Sequence, residues 1–165
     1  MSQSVTVVGA GAWGTALANA AALAGQQVTL WGRDSAHMRE MQKLRSNESR
    51  LPGVMLHQAV HAEPDLLSAI RSATAVMMVV PAQQTVTMVE QLVPYLNAAV
   101  PLILCAKGLD RRTGRFMSDC VMERVPAHPL MVLSGPSFAE DVGRGLPTAV
   151  VLACAREALA KEWAH

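Results

Sequence analysis

The chain has 165 residues, the size of one ordinary domain with a core of its own. Apolar residues make up 51% and charged residues only 16%, which excludes a disordered chain and points to elements buried on both faces. Fourteen Lys and Arg against thirteen Asp and Glu leave no global field to hold nucleic acid or an anionic membrane, so any bound anion must be gripped locally.

Residues 5–8 are a short β-branched run ending at Gly9, and 15–23 are an alanine-rich stretch of high helix propensity, giving strand, glycine turn and helix. Residues 27–31 read as a second strand, 35–44 as a polar helix with Ser35 as its N-cap, and 46–53 as a loop closed by Pro52 and Gly53. A helix around 65–73, a strand over 75–80, a helix over 83–96 and a strand over 102–106 continue the alternation. Both of these strands are continuous apolar runs, which belong to the middle of a parallel sheet covered on each face. Beyond Lys107 come a helix from about 115 to 123, a strand over 130–133, a Gly-Pro turn, a short helix and a strand over 148–153. From Ala155 a further helix begins, and its Trp163 is expected to be exposed unless more protein follows.

The N-terminus lacks the basic stretch and long apolar run of a signal peptide, and the apolar segment 16–24 is far shorter than the ~20 residues a membrane helix needs. No stable membrane insertion is expected. Cys105, Cys120 and Cys154 are odd in number and form no CxxC pair, so neither a disulfide framework nor a thiolate metal site is indicated, and a reducing cytoplasm fits best. His57 and His61 are four apart but flank a loop-to-strand region without a third ligand, and they read as surface residues with no metal. His37, His128 and His165 are isolated, the ten methionines read as core filler, and none of these is assigned a role.

Gly9-Ala10-Gly11-Ala12-Trp13-Gly14 fits G-x-G-x-x-G between the first strand and the first helix of a βαβ unit. Gly9 permits the tight turn, Gly11 lets the main chain approach a pyrophosphate, and Gly14 allows the helix to pack on the sheet. Free amides at the helix start, with the positive end of its dipole, then hold phosphates. A glycine turn without a ligand is the bland alternative, which the βαβ context disfavours. Trp13 sits beside the expected pyrophosphate and is assigned to packing against the cofactor. The resulting expectation is an α/β fold of Rossmann type, a doubly wound, mostly parallel sheet with helices on both faces, over residues 1–165 as one NAD(P)-binding domain.

Three further strand ends carry chemistry. The second strand ends Trp31-Gly32-Arg33-Asp34; Gly32 leaves the tip open and Arg33 offers a planar cation for a 2′-phosphate, favouring NADP over NAD. Asp34 keeps NAD open, since an acid here accepts from ribose hydroxyls. Lys107 follows the strand ending at Cys105-Ala106, where an ammonium can hold a substrate phosphate or polarise a carbonyl; a lysine simply leaving the sheet for solvent is the alternative. In Ser134-Gly135-Pro136-Ser137-Phe138-Ala139-Glu140, Ser137 and Glu140 make the S-x-x-E pattern of a capping box. Gly135 and Ser137 could also donate to a substrate anion there, although capping alone explains Ser137 and Glu140.

Taken together, GAGAWGTALA from Gly9, WGRD from Trp31, LPG from Leu51, VPAQ from Val80, AKGL from Ala106 and LSGPSFAEDV from Leu133 resemble the bacterial NAD(P)-dependent glycerol-3-phosphate dehydrogenase family, in the family's order and over nearly the whole chain. The resemblance implies reversible hydride transfer between NAD(P)H and dihydroxyacetone phosphate, giving sn-glycerol 3-phosphate for phospholipid synthesis. By resemblance, Ala12, Trp13, Arg33, Lys107 and Ala139 match cofactor-contacting positions, and Lys107, Gly135 and Ser137 match substrate-contacting ones. Relatives mostly carry Ser where this chain has Ala12, and often an aromatic where it has Arg50. Members are roughly twice as long, with a helical C-terminal domain that carries the catalytic lysine and is expected to be absent here. The chain is therefore expected to bind dinucleotide with little turnover and to contain no catalytic residue of its own, while the full-length enzyme leaves room for a homodimer. Other two-domain dehydrogenases, of the β-hydroxyacid or ketopantoate type, and a non-catalytic nucleotide-sensing module share the scaffold.

Overall fold

The computed structural model describes residues 3–163, so His165 lies outside the described residues. The elements run β1 (Ser4–Val8), α1 (Ala12–Leu23), β2 (Gln27–Trp31), α2 (Ser35–Leu44), β3 (Ser46–Asn47), β4 (Leu51–Met55), β5 (Val60–Glu63), α3 (Leu66–Ile70), β6 (Ala75–Met78), α4 (Ala82–Leu92), β7 (Leu102–Leu104), α5 (Met117–Arg124), β8 (Leu130–Ser134), α6 (Ala139–Gly143), β9 (Val151–Cys154) and α7 (Glu157–Trp163). Seven strands form one sheet in the order β5-β2-β1-β6-β7-β8-β9. Every pairing in it is parallel except that of β9, which closes the edge antiparallel to β8. This is the expected doubly wound sheet of Rossmann type.

The continuous apolar strands divide their side chains between two cores. Val7, Met77 and Ile103 face a layer containing Leu17 of α1 and Met38 and Met41 of α2. Val8, Met78 and Leu104 face the opposite layer with Ile70, Val89, Leu92 and Val121 of α3, α4 and α5. Leu30, Met78 and Leu104 are among the fully or almost fully buried side chains, each contributing roughly 1.5–3 kcal/mol relative to exposure. The polar Thr6 in the middle strand is tolerated because its hydroxyl donates to the carbonyl of Ala69 at 2.7 Å.

Three local expectations are corrected. Residues 46–53 are not a plain loop: β3 and β4 form an antiparallel hairpin. Pro52 and Gly53 are breaker residues, but Leu51 and Val54 bury against Ala16 of α1, and that packing outweighs local propensity. The segment after it forms β5, an edge strand paired in parallel with β2, where His61 stands exposed beside Glu63 at 3.5 Å. Ser35 does not cap α2. Asp34 does, its carboxylate accepting from the amides of Ala36 and His37 at 3.0 and 3.1 Å. Trp163 is half-buried against the α1-side core rather than exposed.

Candidate functional site

The strand order reverses between β1 and β6, and open α/β sheets bind ligands outside the carboxyl ends of the strands at such a point. A cleft of about 980 Å³ opens there, at the upper end of the roughly 300–1,000 Å³ usual for ligand pockets. The glycine turn 9–14, the β2 tip 31–34, the hairpin residues 49–50, the β6 exit 79–82, the β7 exit 105–107 and residues 137–139 line it.

Sterics explain two of the three glycines of the turn. Gly9 has φ +126° and donates its amide to the carbonyl of Trp31 at 2.8 Å; a Cβ there would fall on the carbonyl oxygen of Val79. A Cβ on Gly14 would fall on the carbonyl oxygen of Gly9, so the missing side chain lets α1 start hard against the turn. Gly11 differs: among the described residues, no atom outside its immediate chain neighbours lies within 4 Å of the position its Cβ would take. The fold itself leaves that space open. The first helical bond runs from the Thr15 amide to the Gly11 carbonyl at 2.9 Å, so the amides of Ala12, Trp13 and Gly14 have no helical carbonyl four residues behind them. Trp13 is half-buried and lines the cleft while also packing on the core beside α1, so its ring is held by the protein on one side.

At the β2 tip, Gly32 is not an open position. Its Cβ would lie 2.7 Å from the sulfur of Met38 and 2.8 Å from the Cβ of Ala10, so glycine lets β2, α2 and the turn meet. Arg33 is exposed and lines the cleft, with no ion pair or hydrogen bond of its side chain among the described residues. Asp34 is committed to the α2 cap, and the amide of His37, with that of Ala36, holds its carboxyl below the ordinary aspartate range. Arg50 lines the cleft from the hairpin.

Lys107 is exposed at the β7 exit, lines the cleft and donates to the carbonyl of Gly135 at 3.0 Å. Gly135 stands behind the lining rather than in it: a Cβ there would meet the Ala149 carbonyl oxygen at 2.7 Å. The capping box is absent. Phe138 is the N-cap of α6 without a side-chain bond, because the Ser137 amide turns back to the Gly135 carbonyl at 3.0 Å and delays the helix by one residue. The Ser137 hydroxyl is thereby left buried and unpaired; among the described residues, the other buried side-chain polar atom without a partner is Trp31 Nε1. Both residues line the cleft. An orphaned hydroxyl and a glycine whose missing Cβ leaves open space, both on the lining of one cleft, fit a polar ligand lying along the turn. Cys105, at the inner wall, has its thiol pushed up to about 12 by burial and is not a nucleophile. Ala139 lines the cleft at the start of α6.

Asn47 and His37 had been given no role. Asn47 is fully buried: its amide donates to the Ala10 carbonyl at 3.1 Å and to the Thr15 hydroxyl at 2.7 Å, while its oxygen meets His37 Nε2 at 3.1 Å. One side chain therefore ties the glycine turn, α1, α2 and the hairpin together. The sequence signal for His37 was its place in the first turn of the helix after the β2 tip; for Asn47 there was none, since it lay in an expected loop. Among the described residues, no cluster of three or more His, Cys, Asp or Glu could hold a metal, and no helix is long and apolar enough to cross a membrane.

Comparison with known proteins agrees with this architecture. A family model described as NAD-dependent glycerol-3-phosphate dehydrogenase N-terminus matches residues 4–160. The chain is 52% identical over 157 residues to glycerol-3-phosphate dehydrogenase (NAD(P)+) of Azorhizobium caulinodans, covering 95% of this chain and 48% of that protein. It is 44% identical over 163 residues to the protein of the same name from Parvibaculum lavamentivorans, covering 99% and 49%. A crystal structure of glycerol-3-phosphate dehydrogenase from Coxiella burnetii superposes with a TM-score of 0.91 at 33% identity, over 98% of this chain and 49% of that one. The chain thus spans about half the length of the curated relatives it matches. With a switch-point cleft shaped by its glycines, and a family match running through nearly all of its length, the chain belongs to the NAD-dependent glycerol-3-phosphate dehydrogenase family and corresponds to its N-terminal part.

Proposed function

We propose that this chain is the dinucleotide-binding half of a cytoplasmic glycerol-3-phosphate dehydrogenase that reduces dihydroxyacetone phosphate reversibly to sn-glycerol 3-phosphate, the precursor of phospholipids. The observation that carries the reading is the contrast within the glycine turn: Gly9 and Gly14 are required by the fold, whereas Gly11 is required by nothing in the protein. A residue kept free of a side chain beside helix-start amides suits a pyrophosphate laid on α1. Gly9, Gly11, Ala12, Trp13 and Gly14 would hold the pyrophosphate side, and Ala139 would bound the cleft from α6.

When bound, the reduced nicotinamide supplies the hydride. The chain's own part is orientation. Lys107, anchored on the Gly135 carbonyl, presents a cation at the β7 exit, and the unpaired Ser137 hydroxyl offers a donor for a substrate oxygen. The catalytic lysine implied by the resemblance belongs to the family's other half, so the chain by itself binds cofactor with little turnover. The phosphorylated dinucleotide is preferred, because the Arg33 side chain has no partner among the described residues, while the Oδ1 of Asp34, an oxygen that would otherwise suit a ribose hydroxyl, is engaged by the α2 cap.

Calorimetric titration of the chain with NADPH and NADH tests both levels. Tighter binding of NADPH is expected, with Arg33→Ala weakening NADPH far more than NADH. Equal losses would remove the 2′-phosphate role, and binding of neither dinucleotide would overturn the cofactor reading. Steady NADPH-dependent reduction of dihydroxyacetone phosphate by the chain alone would contradict the division of labour.

A further inference from the structure

Arg50 enters the cleft from the β3–β4 hairpin, an element that the sequence reads as an unstructured loop. Its position is set by a chain of bonds: the Arg50 amide donates to the Asn47 carbonyl at 3.0 Å, and the Asn47 side chain is fixed on Ala10, Thr15 and His37. The hairpin is thereby pinned to the glycine turn and to the first turn of α2, the two elements that flank the β2 tip. Arg33 and Arg50 both line the cleft, the first from the β2 tip and the second from the hairpin that Asn47 pins to the elements flanking that tip. Lys107 lies at the tip of β7, three strand spacings across the sheet from β2, roughly 14 Å away at ~4.8 Å per strand.

The charge balance of the cleft lining is one-sided. Among the described residues lining the cleft, Asp34 supplies the one carboxylate, and its Oδ1 already accepts two backbone amides. Neither guanidinium has an ion pair or a side-chain hydrogen bond among the described residues, although other arginines of the chain, Arg115 and Arg124, pair with Glu123 and Glu90. A ribose diol is bound best by both oxygens of a carboxylate, and here the α2 cap already holds one of the two, Asp34 Oδ1. A phosphate monoester carries close to two negative charges at neutral pH and three acceptor oxygens, and two planar forks match that demand better than one.

We propose that Arg50 is the second arm of a two-arginine grip on the ribose 2′-phosphate, so that the pair Arg33 and Arg50 sets the preference for the phosphorylated dinucleotide. The proposal rests on the reading of the cleft as a dinucleotide site. An arginine at this position can neutralise a phosphate, which an aromatic ring, able only to stack on adenine, cannot. Arg50 is exposed, so its replacement disturbs no packing.

The test measures Kd for NADPH and NADH by calorimetry on the chain and on Arg50→Ala, Arg50→Lys, Arg50→Phe and Arg33→Ala variants, with thermal melts to confirm folding. Arg50→Ala is expected to weaken NADPH about tenfold and NADH less than about twofold, in keeping with loss of a charge-assisted hydrogen bond. Arg50→Lys should recover part of the loss, and Arg50→Phe should not. The NADPH affinity of Arg50→Ala should also fall less steeply with added salt than that of the unaltered chain. Equal weakening of both cofactors would show Arg50 stacking on adenine and overturn the proposal, as would an unchanged NADPH affinity. If Arg33→Ala discriminates between the cofactors and Arg50→Ala does not, the proposal fails while the cofactor reading stands. Binding of neither dinucleotide by the unaltered chain fails both.

Discussion

Lys107 Nζ donates to the main-chain carbonyl of Gly135 at 3.0 Å, tying the exits of the adjacent parallel strands β7 and β8. The two partners differ in what the fold demands of them. Lys107 is exposed, so Lys107→Met should change stability by no more than about 0.5 kcal/mol. Gly135→Ala instead drives a methyl to 2.7 Å from the Ala149 oxygen and 3.0 Å from Val150 Cα, parting the connection between β8 and β9. That overpacking should cost about 1–3 kcal/mol in a urea melt. Equal effects of the two substitutions would contradict the assignment.

The glycine turn makes a second separation possible. Gly14→Ala must push α1 off the Gly9 carbonyl, and it is expected to destabilise the chain by several kcal/mol, about 3 or more, or to prevent folding. Gly11→Ala meets no protein atom and only exchanges one weak N-cap for a poorer one, a cost of about 1 kcal/mol or less. Its dinucleotide affinity should nevertheless fall by at least about tenfold, because the new methyl occupies the space left for the pyrophosphate. A Gly11→Ala chain that melts normally and still binds NADPH at full strength would refute the role given to that space.

Asn47→Ala is expected to cost about 2–3 kcal/mol, since it strips a hydrogen bond from the half-buried Ala10 carbonyl, another from Thr15 and a third from His37. NADPH affinity should drop with it, because the glycine turn and the hairpin lose their common anchor. Denaturation and calorimetry on the same protein check this: lowered stability with unchanged affinity would reduce Asn47 to a purely structural residue.

Acid sensitivity follows from three turn and cap aspartates. The amide of His37 lowers Asp34, the amide and hydroxyl of Ser68 lower Asp65, and the hydroxyl of Thr113 lowers Asp110. Their folded-state values lie below the unfolded one, so their contribution is complete above pH ~4 and is lost as pH falls through the depressed values. Because asparagine caps nearly as well as aspartate, a chain with Asp34→Asn, Asp65→Asn and Asp110→Asn should keep its stability at pH 7 and show a shallower decline below pH 4. Urea midpoints across pH 2–7 measure both; an unaltered acid limb would mean that other carboxylates govern it.

The sequence by itself determined the doubly wound sheet and the location of its binding edge. Continuous apolar runs such as Ala75-Val76-Met77-Met78 have no polar face to offer solvent, and the glycine spacing between β1 and α1 marks the turn, so both follow from one-dimensional pattern. Arg33 and Lys107 were legible for the same reason, as charges at the ends of buried strands. The hairpin, the cap at Asp34, the delayed start of α6 and the Asn47 hub were not. Each depends on which group reaches a buried donor or acceptor first: Leu51 and Val54 find α1, Asp34 reaches two amides before Ser35 can, the Ser137 amide turns to Gly135, and Asn47 meets partners 10, 32 and 37 residues away. Local propensity carries no information about such long-range competition. The tertiary structure alone decided it, and with it which side chains are left free at the cleft.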